Sequence, residues 1–179
     1  MTVIIGLVDN NTVLMGGDSA AVCNDSLTVL ATKKVFRKGD FLFGVAGTFR
    51  VSQILEHCFQ IPPRLDSKSD MGYLVSEFAT AFQNELATHM DVNDEQIQGW
   101  RILIGYRGNI YSLESNFQVI KADLDYYCVG SGEEYALGSL FSTKGLPISA
   151  DTRVLEALKA SAHFCTSVCP PFHVLRSYE

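Results

Sequence analysis

Thr2 follows Met1 and opens the apolar run Val3-Ile4-Ile5-Gly6-Leu7-Val8. If Met1 is removed, Thr2 carries a free α-amine and a hydroxyl on the same residue. That pairing is one of the few ways to activate a Thr, because the amine can serve as the base for its own hydroxyl. An α-amine has an unperturbed pKa of about 7.7–8.0, which suits general-base work near neutral pH. In a chain that keeps Met1 the same nitrogen is an amide and accepts no proton. The chemistry to expect from such a residue is attack on a carbonyl carbon. Amide hydrolysis then needs a nucleophile, a base, an orienting charge pair and a donor for the oxyanion.

A second group of chemistry-bearing side chains lies near the other end. His163, Cys165, Cys169 and His173 fall within eleven residues. They do not match the paired Cys-x-x-Cys spacing of structural zinc. Cys165 and Cys169 would share a helix face, but Pro170 and Pro171 break the element there. The five cysteines, Cys23, Cys58, Cys128, Cys165 and Cys169, are odd in number. No basic n-region of a secretory signal precedes the first apolar run. Free, buried thiols are therefore expected rather than disulfides, with no metal and no cofactor.

The elements that must position Thr2 are read from period and punctuation. Residues 2–8 form a strand, Asp9-Asn10-Asn11 turns, and Thr12 to Met15 returns as the second strand of a hairpin. Gly16-Gly17-Asp18 follows, where two glycines let the backbone pass close to another segment. Residues 21–32 show no clear period. Lys34 to Arg37 and Phe41 to Ala46 form a second hairpin across Lys38-Gly39-Asp40. Thr48 to Phe59 is helical, with Val51, Ile54, Leu55 and Cys58 on one face. Asp70 caps a long amphipathic helix to about Met90, striped by Leu74, Phe78, Phe82 and Leu86. Residues 91–99 are polar and loop-like. Trp100 to Tyr106 and Asn109 to Leu113 form a third hairpin, and Gln118 to Ile120 and Tyr126 to Val129 are further strands. Helices then run from Glu133 to about Phe141 and from an Asp151 cap to about Phe164, before a last strand over Phe172 to Leu175. Hairpins imply antiparallel pairing. Two sheets face to face with helices outside would fit, and a two-layer α+β fold fits nearly as well on pattern alone.

Whole-chain properties narrow the class. The 179 residues suggest one domain with a sizeable core. A formal net charge of −6 and a pI near 5.2 argue against nucleic acid and anionic membranes as main partners. No apolar run reaches the length of a membrane span. A cytoplasmic location is expected.

Several stretches, taken together and in order, resemble one family. They are Thr2, Met15-Gly16-Gly17-Asp18, Lys33-Lys34-Val35-Phe36, Gly44-Val45-Ala46-Gly47 and Val129-Gly130-Ser131-Gly132-Glu133-Glu134-Tyr135-Ala136. They are similar to proteasome β-type subunits, and in length to the bacterial HslV-type peptidase, both N-terminal nucleophile hydrolases. The separations of Asp18 and Lys34 from Thr2 match that pattern.

The resemblance implies a single domain over residues 1–179 with an α+β, four-layer αββα sandwich of antiparallel sheets. It implies that Thr2 is the nucleophile and its freed amine the proton acceptor. Lys34 would favour alkoxide character on the hydroxyl, and Asp18 would hold Lys34 charged and aimed. Gly47 would offer its N–H to the oxyanion, and Ser131 would help fix the amine. Alternation places Lys33 and Lys34 on opposite faces, so only one reaches the site. A substrate pocket lined by Ala20, Ala21, Val45 and Phe49 is expected, small and apolar. Family members commonly carry an acid and then a Ser just beyond the fourth helix, near the amine. The best-matching position here is His163, followed by Phe164-Cys165-Thr166-Ser167, so either His163 takes over that contact or the amine is held less well.

The function so implied is a threonine-type endopeptidase acting on peptides or unfolded chains. It would self-assemble into a ring, with the helix from Asp70 to Met90 as a contact and an ATPase as a candidate partner. A non-catalytic ring subunit and an amidase acting on a small amide are the alternatives. The intact Thr2, Asp18 and Lys34 set weighs against the first. The lack of large insertions to shape a private pocket weighs against the second.

Overall fold

Strict alternation in the first hairpin decides how the layers stack. In the computed structural model, which describes residues 2–24, 26–65, 67–91 and 98–177, β1 (Ile4–Asp9) and β2 (Thr12–Gly17) pair antiparallel with Ile4 opposite Gly17. Val3, Ile5, Leu7 and Leu14 point to one face and pack against the last two helices. Ile4, Val13 and Met15 point to the other face and meet a second sheet. A strand whose two faces are both apolar is buried on both sides. The turn between them is closed by Asn10 and Asn11, both left-handed at φ 48° and 65°, a two-residue connection whose twist suits a hairpin.

The first sheet has the order β10-β1-β2-β11, with β10 at Tyr126–Val129 and β11 at His173–Arg176. The second runs β5-β6-β7-β8-β9. Its strands are β5 (Val35–Lys38), β6 (Phe41–Ala46), β7 (Arg101–Tyr106), β8 (Asn109–Glu114) and β9 (Val119–Lys121). In β6, Leu42 and Ala46 face the first sheet, while Phe41, Phe43 and Val45 face outward onto helices. Gly44 lies where the two sheets come closest: a Cβ there would stand 2.3 Å from Ile4 Cγ2.

The outer helices complete a four-layer αββα sandwich. On the five-stranded sheet lie α1 (Phe49–Gln53), continued by a wider turn over Ile54–Cys58, and the long helix α2 (Asp70–Tyr73) to α3 (Ala79–His89), joined by a similar wide turn over Leu74–Phe78. On the four-stranded sheet lie α4 (Glu133–Ser142) and α5 (Ala150–Phe164). The stripe Leu74, Phe78, Phe82 and Leu86 is fully buried. A step of four drifts around an α-helix of 3.6 residues per turn, and the wide turn offsets part of that drift.

Some boundaries differ from the sequence reading. Ser69, not Asp70, caps the long helix: its backbone is extended and its hydroxyl accepts from Gly72 N at 3.1 Å. Ser149, not Asp151, caps α5 in the same way, through Thr152 N. In both cases the Asp sits inside the first turn, where its charge still favours the helix dipole. A ribbon of β3 (Ala20–Cys23) paired with β4 (Ser26–Val29) makes a sheet of its own. β4 is exposed along its length, so no core imposes a period on it. Of the expected 91–99 loop, residues 92–97 lie outside the described residues. Among the described residues, no helix is long and apolar enough to cross a membrane.

Candidate active site

The site is built where β1 begins. Thr2 lies two residues before the first residue of that strand and is buried. Asp18 follows β2, the partner of β1, so the hairpin register brings it back to Thr2. Asp18 N donates to Val3 O at 3.4 Å. Its carboxylate is surrounded by donors. Oδ1 accepts from Thr2 Oγ1 and from Val3 N, each at 3.0 Å. Oδ2 accepts from Ala20 N at 2.8 Å and from Cys169 N at 3.5 Å.

Lys34 enters from the residue before β5. Lys33 is exposed and Lys34 buried. Lys34 Nζ donates to Thr2 Oγ1 and lies 2.9 and 3.1 Å from the two oxygens of Asp18. Burial pushes the Lys34 ammonium below its ordinary pKa, and the charge and hydrogen bonds of Asp18 act against that fall. A cation is thus held against a hydroxyl in a site that solvates neither.

Two left-handed glycines frame Thr2. Gly130, at φ 107°, passes so close that a Cβ would lie 2.3 Å from Thr2 O. Gly47, at φ 110°, packs its Cα against Trp100, where a Cβ would meet the backbone at 2.7 Å. Only glycine takes such a backbone without strain. Between Gly130 and α4, Gly132 N donates to Thr2 O at 3.1 Å. Ser131 Oγ accepts from Thr2 N at 3.1 Å and lies 3.3 Å from Thr2 O.

Two clefts of about 500 Å³ and 480 Å³ share Gly47 as a wall. The smaller holds Thr2, Gly130 and Ser131, with Arg101 and Glu133, which pair with each other. The larger is lined by Lys34, Val45, Thr48, Phe49 and the outer side of α1. Val45 and Phe49 thus line the larger cleft, whose walls do not include Thr2. Ala20 and Ala21 sit on β3, paired to β4, and Ala20 N donates to Asp18.

No family model matches this sequence, and no curated protein matches it either. Solved structures do. Thiobacillus denitrificans BPH is 19% identical, superposes with a TM-score of 0.79, and matches over 97% of this chain and 96% of its own. HslV from Trypanosoma brucei is 15% identical with a TM-score of 0.70, over 97% and 98% of the two chains. Anbu from Yersinia bercovieri is 13% identical with a TM-score of 0.71, over 97% and 80%. The fold is that of the proteasome-type N-terminal nucleophile hydrolases.

Within this proteasome-type fold, the residue expected beside the Thr2 amine after α5 was His163. It is exposed, with its ring edge-on to Phe164. The polar contact comes from further along. Ser167 is buried and its hydroxyl lies 2.8 Å from Ser131 Oγ. Cys165 Sγ stands 3.1 Å from Ser167 Oγ and 3.8 Å from Ser131 Oγ. Sequence reasoning passed over both. α5 ends at Phe164, and the turn that follows it carries Cys165 N to Ser161 O and Val168 N to Cys165 O. That turn, rather than the helix, points inward. The Phe164-Cys165-Thr166-Ser167 stretch held the only signal, a hydroxyl soon after a helix end. Among the described residues, no three His, Cys, Asp or Glu side chains converge to hold a metal.

Proposed function

We propose that this chain is a threonine-type endopeptidase that uses Thr2 as nucleophile once Met1 is removed. One observation carries the reading: Lys34 Nζ contacts Thr2 Oγ1 and the Asp18 carboxylate together, in a buried triad beside an open cleft. Such a triad has little to contribute to stability, since a buried ion pair is weakly stabilising at best. It does suit a hydroxyl that must lose its proton.

The freed Thr2 amine takes the Oγ1 proton, directly or through a water, and Oγ1 attacks the peptide carbonyl carbon. Lys34 favours negative charge on Oγ1, and Asp18 keeps Lys34 in place. The oxyanion receives the Gly47 N–H. The C–N bond then breaks, the amine's proton goes to the leaving nitrogen, and an acyl ester remains on Thr2. A water, deprotonated by the same amine, adds to that ester and releases the acid. Val45 and Phe49 would receive the side chain on the acyl side, which should be apolar. The Thiobacillus denitrificans protein is also known in complex with epoxomicin, with a TM-score of 0.78 to this chain. That binding by a neighbour of the same fold supports the reading. Self-assembly, in a ring, belongs to the proposal too: a helical assembly is known for Anbu of Pseudomonas aeruginosa. An ATPase partner and unfolded substrates are its further extension.

The test is hydrolysis of a fluorogenic peptide with an apolar acyl-side residue, by protein whose intact mass verifies loss of Met1. Processed protein should cleave, Met1-retaining protein and Thr2→Ala should not, and epoxomicin should block cleavage. Equal cleavage by processed protein and Thr2→Ala sinks the reading. If neither cleaves any amide, a non-catalytic ring subunit replaces it.

A further inference from the structure

Behind the Thr2 nitrogen runs a row of polar atoms that the proposed reaction does not use: Ser131 Oγ at 3.1 Å, Ser167 Oγ 2.8 Å further, and Cys165 Sγ 3.1 Å beyond that. The two hydroxyls can each donate one proton and accept others, so each can point either way. The thiol at the far end differs, because it can lose its proton altogether. As a thiolate it only accepts, and then Ser167 donates to it, Ser131 donates to Ser167, and Ser131 Oγ is left to accept from the Thr2 nitrogen. As a thiol it can donate to Ser167, Ser167 can donate to Ser131, and the Ser131 proton is free to turn back toward residue 2, whose carbonyl oxygen lies 3.3 Å away. The neutral thiol has a further acceptor in Ser131 O at 3.7 Å, so it leaves both directions open, whereas the thiolate holds the row in one of them.

We propose that Cys165 is a positioning residue for the Thr2 amine, acting through Ser167 and Ser131 to set how firmly that amine keeps its proton. The inference rests on Thr2 being the freed N-terminus of the proposed peptidase. Cys165 is half-buried at the C-terminal end of α5. Burial pushes its thiol up, but hydrogen bonds with Ser167 and Ser131 outweigh that and leave the thiol easier to ionise than usual. The row of hydrogen bonds links thiol and amine, so the charge on one bears on the proton of the other. A thiolate stabilises the ammonium form, so the amine pKa is higher with it than without it.

Other charges surround the row. Asp18 faces Cys165 from the end of β2 and opposes its ionisation. Lys34 and Cys169 lie beside Asp18. Glu133 and Glu134 line the Thr2 cleft with Ser131 from the start of α4, with Glu133 paired to Arg101. His163 lies on α5 itself and is exposed. None of these is altered by replacing Cys165, so a change on replacement reports the sulfur.

The experiment uses protein prepared with Thr2 as its first residue, as wild type, Cys165→Ser, Cys165→Ala and Cys165→Asp. The Thr2 amine is titrated by NMR on selectively labelled protein, and the pH dependence of kcat is recorded alongside. Ser keeps the hydrogen bonds without an ionisable group, and Asp restores a permanent anion. The amine midpoint should fall by about 0.5 pH units in Cys165→Ser and Cys165→Ala, on the order of threefold more free amine below the midpoint. The acid limb of kcat should move down with it. In Cys165→Asp the midpoint should return to the wild-type value or exceed it. Identical amine midpoints in all four proteins overturn the proposal, and so does a fall in Cys165→Ala that Cys165→Asp does not reverse. If the midpoints shift as expected but no variant hydrolyses peptide, the positioning role stands and the peptidase reading fails.

Discussion

Lys34 has two tasks at the residue scale, and they can be separated. It donates to the Thr2 hydroxyl, which the proposed reaction uses, and it neutralises a fully buried carboxylate. Lys34→Ala should abolish hydrolysis and lower stability by about 3 kcal/mol, because breaking a buried pair strands the remaining charge. The loss belongs at the low end of that range, since Asp18 keeps its bonds from Val3 N and Ala20 N. Urea unfolding of inactive Lys34→Ala beside inactive Thr2→Ala measures the difference. Thr2→Ala should be nearly as stable as the wild type, and Thr2→Ser should keep part of the activity. Gly130→Ala is a sharper probe. Its methyl would meet Thr2 O, and its backbone is left-handed. Displacing that carbonyl moves the Thr2 hydroxyl, and misplacement of a proposed nucleophile by about 1 Å should cost on the order of 100-fold in rate. Wild-type kcat in Gly130→Ala would show that the Thr2 carbonyl is not what fixes the hydroxyl.

At the scale of elements, Tyr73 ties the start of the long helix to the chain before it by donating to Pro62 O at 2.7 Å. Burial first, then the nearby Tyr106 and Glu77, push its phenol from 10.0 up to about 12. A raised folded value stabilises the fold fully below pH 10 and loses that contribution as pH climbs toward 12, because the unfolded chain gives up its proton first. Tyr73→Phe should be about 1 kcal/mol less stable at neutral pH and decline more gently between those values. Denaturant midpoints across that range test both parts. The same helix shows what the sequence could reveal. Its stripe of Leu74, Phe78, Phe82 and Leu86 was legible because burial on one face imposes a period. Its cap was misplaced by one residue because Ser69 and Asp70 are both good caps and only backbone conformation separates them. β3 and β4 left no trace, since β4 is exposed along its length and only the first residue of β3 is fully buried, too little to impose a period. Thr2, Asp18, Lys34 and Ser131 were legible through their order along the chain. Ser167 and Cys165 were not, because the turn after α5 that brings them to Ser131 follows no pattern in the sequence.

For the whole molecule, three apolar interfaces join the four layers: helices on strands, strands on strands, and strands on helices. Large apolar groups remain outside, with Phe141 73% and Phe164 65% exposed. Self-assembly is expected to cover part of that surface, and light scattering showing only monomer across micromolar concentrations would rule out the ring. The placement of Thr2 has a further consequence. β1 is an inner strand, flanked by β2 and by β10, so the first residues made are finished by some of the last. Thr2 waits for Ser131, and Asp18 waits for Cys169. A chain still emerging from the ribosome can lose its Met early, yet it has no assembled site until nearly its whole length is free. Synthesis order itself thus leaves Thr2 without Ser131, and Asp18 without Cys169, until nearly all of the chain has been made.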